Sequence, residues 1–260
     1  MLVKPEAGTH WYTSDGKPRY GATLREARKE LLYPSVTTIL QILAKPGLES
    51  WKQEQAILAA LTLPRRDGEG EDEFAKRVVA DSRAQASDAA AVGSEVHAAI
   101  ENELMGAPWA VEAGLIPVMQ LVTEWIAEHL DAGPTEVSGT GTGYGGRIDY
   151  IGSLLGTPTI IDFKTQYVRG KKPNTYSTWK YQGAAYRRMA NFEKLGLMYL
   201  GDFAFANLVV STDFDNPAIW LIEYTADEMR QAEDAFFKLR DLYYIEKNYF
   251  PTLESEAVAS

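Results

Sequence analysis

The chain contains no cysteine. That absence excludes disulfides, zinc sites built on thiolates and cysteine nucleophiles, so any metal must rest on oxygen and imidazole ligands. Ligands of that kind favour Mg²⁺ or Mn²⁺. Also missing is any run of about 18 apolar residues, the length a membrane-spanning helix needs. The opening MLVKPEAGTH lacks the apolar stretch of a signal peptide. The expectation is an intracellular, cytoplasmic protein with no membrane partner. Basic charge is scarce overall: 26 Lys and Arg stand against 36 Asp and Glu, for a net charge of −10. Polyanion-binding proteins usually carry a basic footprint, so the sum argues against nucleic acid. Its distribution argues the other way. Between residues 143 and 190, eight basic residues face only Asp149 and Asp162, a local excess of +6. An acidic body with one basic stretch can focus a polyanion onto one face, although the same stretch also reads as a solvated helix and loop.

With 260 residues and 45% apolar content, the chain can bury the core of one large α/β domain. YPSVTTILQIL reads as an extended entry ending at Pro34, with Ser35 capping a short helix. ESWKQEQAILAALTL continues helically, and the charged, glycine-containing PRRDGEGEDE then makes a flexible break. A long helix is predicted from about Phe74 to Met105, and another from Pro117 to Leu130. TEVSGTG, GGRIDYIG and TPTIIDFKT are short, β-rich and punctuated by glycine and proline, which predicts a three-stranded meander. A helix in TWKYQGAAYRRMANFEKL, strands in FAFANLVVS and AIWLIEYT and a closing amphipathic helix complete the order. Residues 1–84 read as a helical N-terminal part, 85–250 as the core and 251–260 as a frayed tail.

GGRIDYIGSLLGTPTIIDFKTQ, residues 145–166, sets charge inside apolar strands. Side chains alternate along a strand, so Asp162 and Lys164 share one face while Ile161 and Phe163 take the other. With the turn in GSLLGTP, Asp149 and Asp162 are symmetric about Leu155 and Gly156 and fall nearly opposite one another on antiparallel neighbours. Opposed residues bring their Cβ atoms to about 5 Å. Carboxylates that close repel unless one is protonated or a cation bridges them. A lysine neutralising two sheet-edge acids would satisfy the same pattern. The apolar context of Ile160 and Ile161 favours a functional site.

These residues resemble the PD-(D/E)XK nuclease superfamily in its RecB-like exonuclease branch. That pattern has an aspartate in one strand and (D/E)-x-K in the next, matched by Asp149 and by Asp162, Phe163 and Lys164. Its Q-x-x-x-Y is matched by Gln182 and Tyr186, and its upstream G-x-x-x-H-x-x-I-E by Gly93, His97, Ile100 and Glu101. Each match is weak alone, and together they are specific. YPSVTTIL and the tryptophan of LESWKQE are similar to mitochondrial genome-maintenance exonucleases and related phage nucleases. The proline of the family name is missing, with Arg147 and Ile148 before Asp149, but the glycine-rich approach GYGGRID is common in RecB-like members. GTGYGG also matches G-x-G-x-x-G, yet a strand follows it where a dinucleotide fingerprint needs a helix.

The resemblance implies the restriction-endonuclease-like α/β fold, a mixed central sheet flanked by helices with an αβββαβ core. It implies phosphodiester hydrolysis with one or two Mg²⁺ or Mn²⁺ ions held by Asp149, Asp162, His97 and the Phe163 carbonyl. Glu136 reads either as an extra ligand or as surface glutamate. Glu101 would be a water-mediated ligand or would orient His97, Lys164 would orient or deprotonate the attacking water, and Gln182 and Tyr186 would position Lys164 and the substrate. Arg147, Arg169, Lys171, Lys172, Lys180 and Arg187, interleaved with Tyr176 and Trp179, suit DNA that is single-stranded or has an end. Ser35 and Thr37 at a helix start suit a terminal phosphate. The implied protein is an exonuclease of phage or bacterial recombination and repair, with a recombination annealing protein as partner. An endonuclease of the same superfamily and a catalytically silent DNA-binding subunit are the alternatives.

Overall fold

The computed structural model describes residues 10–44, 46–189 and 202–251. The opening nine residues, nearly all of the expected frayed tail and the end of the helix expected through Leu195 lie outside these. Among the described residues the order is β1 (His10–Tyr12), β2 (Pro18–Tyr20), α1 (Leu24–Glu30), β3 (Tyr33–Pro34), α2 (Val36–Leu40), α3 (Pro46–Thr62), α4 (Glu71–Leu104), α5 (Ile116–His129), β4 (Thr135–Gly141), β5 (Tyr144–Leu154), β6 (Thr157–Gln166), α6 (Ser177–Arg187), β7 (Ala204–Ser211), β8 (Ile219–Glu223) and α7 (Ala226–Lys247). The molecule is mixed α/β.

Five strands form the main sheet in the order β4-β5-β6-β7-β8, antiparallel except for the parallel pair β6–β7. That parallel pair requires a crossover, and α6 lies in it. β5 and β6 are joined through Leu155 and Gly156, both with positive φ (49° and 82°), the primed turn that matches strand twist. Helices cover both faces. On one, Val96 and Ile100 of α4 and Met119 and Val122 of α5 pack on Tyr150, Ile161, Phe163 and Leu208. On the other, α2, α6 and α7 pack on Tyr144, Ile148, Ile151, Ile160 and Phe205. The alternation of Ile160 with Ile161 between these cores fixes the faces of Asp162 and Lys164. No described helix is long and apolar enough to cross a membrane.

The N-terminal part differs from the helical expectation. It carries a small sheet, β2-β1-β3, joined to β5 by a bridge between Ser35 and Gly145. Strands of two or three residues are too short to show a period-2 pattern. Trp11 of β1 and Tyr249 beyond α7 anchor this sheet in a separate small core with Ala27 and Leu32. The expected break before α4 is tied down, with Arg77 bonded to Glu69 (2.5 Å) and to the Pro64 carbonyl (2.8 Å).

Gly93 lets α4 approach the sheet. A Cβ there would come 2.7 Å from Thr165 Oγ1. In an open helix Gly→Ala gains about 1 kcal/mol; here overpacking should reverse the sign, with Gly93→Ala costing about 1–3 kcal/mol. Thermal unfolding of Gly93→Ala, alone and with Thr165→Ala, checks this. Destabilisation that Thr165→Ala relieves is expected, and a more stable Gly93→Ala in the otherwise unchanged chain would contradict the close approach.

Candidate active site

Tyr150 pairs with Ile161, so the next step of the β5–β6 register sets Asp149 against Asp162. The regular ladders stop there. On the other side, Thr135 pairs with Tyr150 and Val137 with Ile148, while the intervening Glu136 and Asp149 are skipped. Glu136 has φ 52°, left-handed backbone that a glutamate rarely adopts and that is frequent at functional sites. Where the strands part, the Phe163 N–H donates to Asp149 Oδ2 (2.8 Å), so a carboxylate takes the place of a ladder carbonyl.

Asp162 is only 2% exposed and is held by three donors. Gln182 Nε2 donates to Oδ1 (3.0 Å), and Asn207 Nδ2 (2.7 Å) and Lys164 Nζ (2.7 Å) reach Oδ2. Lys164 also donates to Gln182 Oε1 (3.0 Å), and Gln182 Nε2 contacts Tyr186 Oη at 2.7 Å. Gln182 and Tyr186 are one turn apart on α6, which puts both on the face that meets the sheet. The network therefore joins β6, α6 and β7. Asn207, fully buried on β7 directly beside Asp162, was not among the residues read from sequence. Tyr224 Oη donates to Asn207 Oδ1 (2.8 Å) and orients the amide toward Asp162. The available signal was one asparagine inside the apolar strand FAFANLVV.

Burial pushes the Asp149 carboxyl well above the usual range, and the charge of Asp162 adds to it; Lys164 and the Phe163 N–H pull the other way without offsetting it. Asp149 lines a cleft of about 200 Å³. His97, on the inner face of α4, is pushed down to about 4 by burial first and the Lys164 ammonium second, so it is neutral near pH 7. Glu136 is raised by burial, with Arg147 opposing and Glu101 adding, so these acids lie within electrostatic reach of one another. Arg147 Nε meets Glu136 Oε2 at 2.5 Å. Among the described residues no three His, Asp or Glu side chains form a ready-made cage for an ion.

The residues expected to meet nucleic acid divide. Arg169, Lys171, Lys172 and Tyr176 are exposed on the loop between β6 and α6, with Arg169 over the exposed Tyr167 ring at 5.9 Å. Asp213 holds that loop by accepting the Gly170 N–H (3.0 Å). Trp179 is a correction: it is 9% exposed, turned inward by the first turn of α6 and packed edge-on against Tyr176, so it offers no open face for a base. Lys180 and Arg187 are half-buried on α6 instead of lying free on the loop. Ser35 is a second correction. It is buried, its Oγ accepts the Thr38 N–H (3.0 Å) and bonds the Thr38 hydroxyl (2.8 Å), so its capping role leaves little for a phosphate. Thr37 is exposed at the cleft edge.

Because the folded-state pKa of Asp149 lies above the unfolded value of about 3.9, its contribution to stability is complete below that pH and is lost as pH rises through the folded pKa. Asp149→Asn keeps an acceptor for the Phe163 N–H and removes the charge. In chelator at pH 8 the variant should melt several degrees above the unaltered chain, and the gap should close near pH 4. Equal melting at pH 8 would show that Asp149 is not strained by burial and by Asp162.

No family model matches the chain, and no curated protein matches it. Among solved structures, a crystal structure of SSO0001 is similar over 48% of this chain and 59% of its own, at 18% identity and a TM-score of 0.27. So slight a likeness bears on neither fold family nor function.

Proposed function

We propose that the chain is a Mg²⁺- or Mn²⁺-dependent deoxyribonuclease of the PD-(D/E)XK type and RecB-like branch, hydrolysing phosphodiester bonds from DNA ends with a preference for single strands. One observation carries this reading: opposed Asp149 and Asp162 share a site with Lys164, Gln182 and Tyr186 in the element order α4, α5, β4, β5, β6, α6, β7, with α5 packed beside α4 on the same face of the sheet. Structural acids neutralised at a sheet edge would not need an amide, a phenol and a second strand to orient them.

The residues fit a hard divalent ion. A carboxylate has about four lone-pair sites, and Asp162 uses three, which leaves one on Oδ1. Asp149 retains Oδ1, since the Phe163 N–H takes Oδ2. The Phe163 carbonyl leaves β6 on the same side as that N–H. Two carboxylates, a carbonyl and water suit Mg²⁺, which keeps several waters and does not need an all-protein cage. Asp149, Asp162 and Phe163 would hold it, with neutral His97 facing them from α4. When bound, the ion would polarise the scissile phosphate and acidify a water.

The protein's own groups do the rest. Lys164 spends two of its three N–H donors on Asp162 and Gln182, leaving one for the attacking water or a phosphate oxygen. Gln182, held by Tyr186, stops the ammonium from swinging away. The exposed Tyr167 and Tyr176 rings beside Arg169, Lys171 and Lys172 give unstacked bases and phosphates their respective partners.

End-labelled single- and double-stranded DNA, incubated with Mg²⁺, Mn²⁺ or chelator, tests the assignment. Cleavage should require the ion and fall by about 10²–10⁴ in Lys164→Ala while DNA binding persists. Covalently closed single-stranded circles should survive. Metal-independent cleavage, or full activity without Lys164, would contradict the mechanism, and rapid cutting of circles would replace end-dependent with internal cleavage.

A further inference from the structure

The cleft that contains Asp149 has a second wall that the proposed chemistry does not use. It is built by the small N-terminal sheet: His10 and Tyr12 from β1, Tyr20 from β2 and Thr37 from α2 face Arg147 and Asp149 across the gap. Strand alternation explains why the rings are there. Trp11 points into the small core beneath, so His10 and Tyr12 must point the other way, toward β5. His10 and Tyr20 are direct cross-strand partners, and their rings meet edge to face at 5.3 Å. Tyr12 packs closely on β5 because position 145 is glycine; a Cβ there would come 2.4 Å from its ring. Tyr20 keeps 45% of its surface exposed where it lines the same cleft as Asp149.

Charge and size decide what such a pocket takes. Its guanidinium, Arg147, is already matched by Glu136 at 2.5 Å, Asp149 adds an acid, and the α2 cap is spent by Ser35. Its charges are balanced within the cleft, which favours a neutral ring over a dianionic phosphate. A volume of about 200 Å³ is below the roughly 300–1,000 Å³ of pockets for drug-sized ligands, and so suits one planar ring system. Resting on the deoxyribonuclease reading, we propose that this cleft is a nucleobase pocket: the base next to the scissile phosphate lies against Tyr20 and His10, with the Thr37 hydroxyl at its edge. The base is thereby gripped between the small sheet and the side of the cleft formed by Arg147, Asp149 and Tyr186. Only a strand whose bases are unpaired can enter, so the pocket supplies a single-strand preference separate from the basic loop.

The test uses the full chain in chelator with a ten-nucleotide single strand carrying 2-aminopurine at successive positions. One position should lose fluorescence on binding, the signature of stacking. That quench should vanish in Tyr20→Ala and persist in Tyr20→Phe. An abasic residue at that position should weaken Kd about tenfold for the unaltered chain and less than twofold for Tyr20→Ala. Unchanged Kd and quenching in both Tyr20→Ala and His10→Ala would overturn the pocket while leaving the nuclease reading intact. If the unaltered chain binds the strand neither in chelator nor with Ca²⁺ added as a substitute ion, the nuclease reading falls and the pocket falls with it.

Discussion

Two carboxylates facing each other inside a protein cost free energy unless something positive or a proton lies between them. Asp149 and Asp162 are in that position, where the β5–β6 ladder ends and Asp149 turns to accept the Phe163 N–H. One ammonium, Lys164, is bonded to only one of the pair. The strain falls on Asp149, whose carboxyl is raised by burial and by its neighbour. A hydrophobic pair would fill this space at lower cost, so stability alone does not account for the acids.

The rest of the molecule fixes that pair in place. Ile161 and Phe163 lock one side of β6 under α4 and α5, and Ile160 locks the other under α6 and α7, so the acid and lysine between them cannot turn away. Asn207 and Gln182 approach Asp162 from β7 and α6 and determine which oxygen remains open. Glu136, in left-handed backbone on β4, marks the break in the β4–β5 ladder beside Asp149, which on its β6 side accepts the Phe163 N–H. The small N-terminal sheet closes the opposite side, and its glycine-backed Tyr12 shows that the two sheets were built to touch.

The acid pair was legible in sequence because two simple rules combine there: period-2 alternation and reflection about a two-residue turn. The α6 pair Gln182 and Tyr186 was legible through helical spacing together with family resemblance. Asn207 was harder, since a buried asparagine in an apolar strand has no partner until β6 and β7 are known to be parallel neighbours in register. The β1–β3 sheet escaped because its strands are held by distant residues, Tyr249 above all, and not by local pattern. Trp179 was misplaced for a related reason: composition does not tell which side of the first helical turn meets the core.

Anomalous diffraction from crystals soaked in Mn²⁺ addresses the central assignment most directly, because it locates the ion without relying on turnover. A peak within about 2.2 Å of oxygens from both Asp149 and Asp162 is the expected result. A chain that takes up Mn²⁺ elsewhere, or leaves the space between these carboxylates without density at saturating ion, would contradict the account.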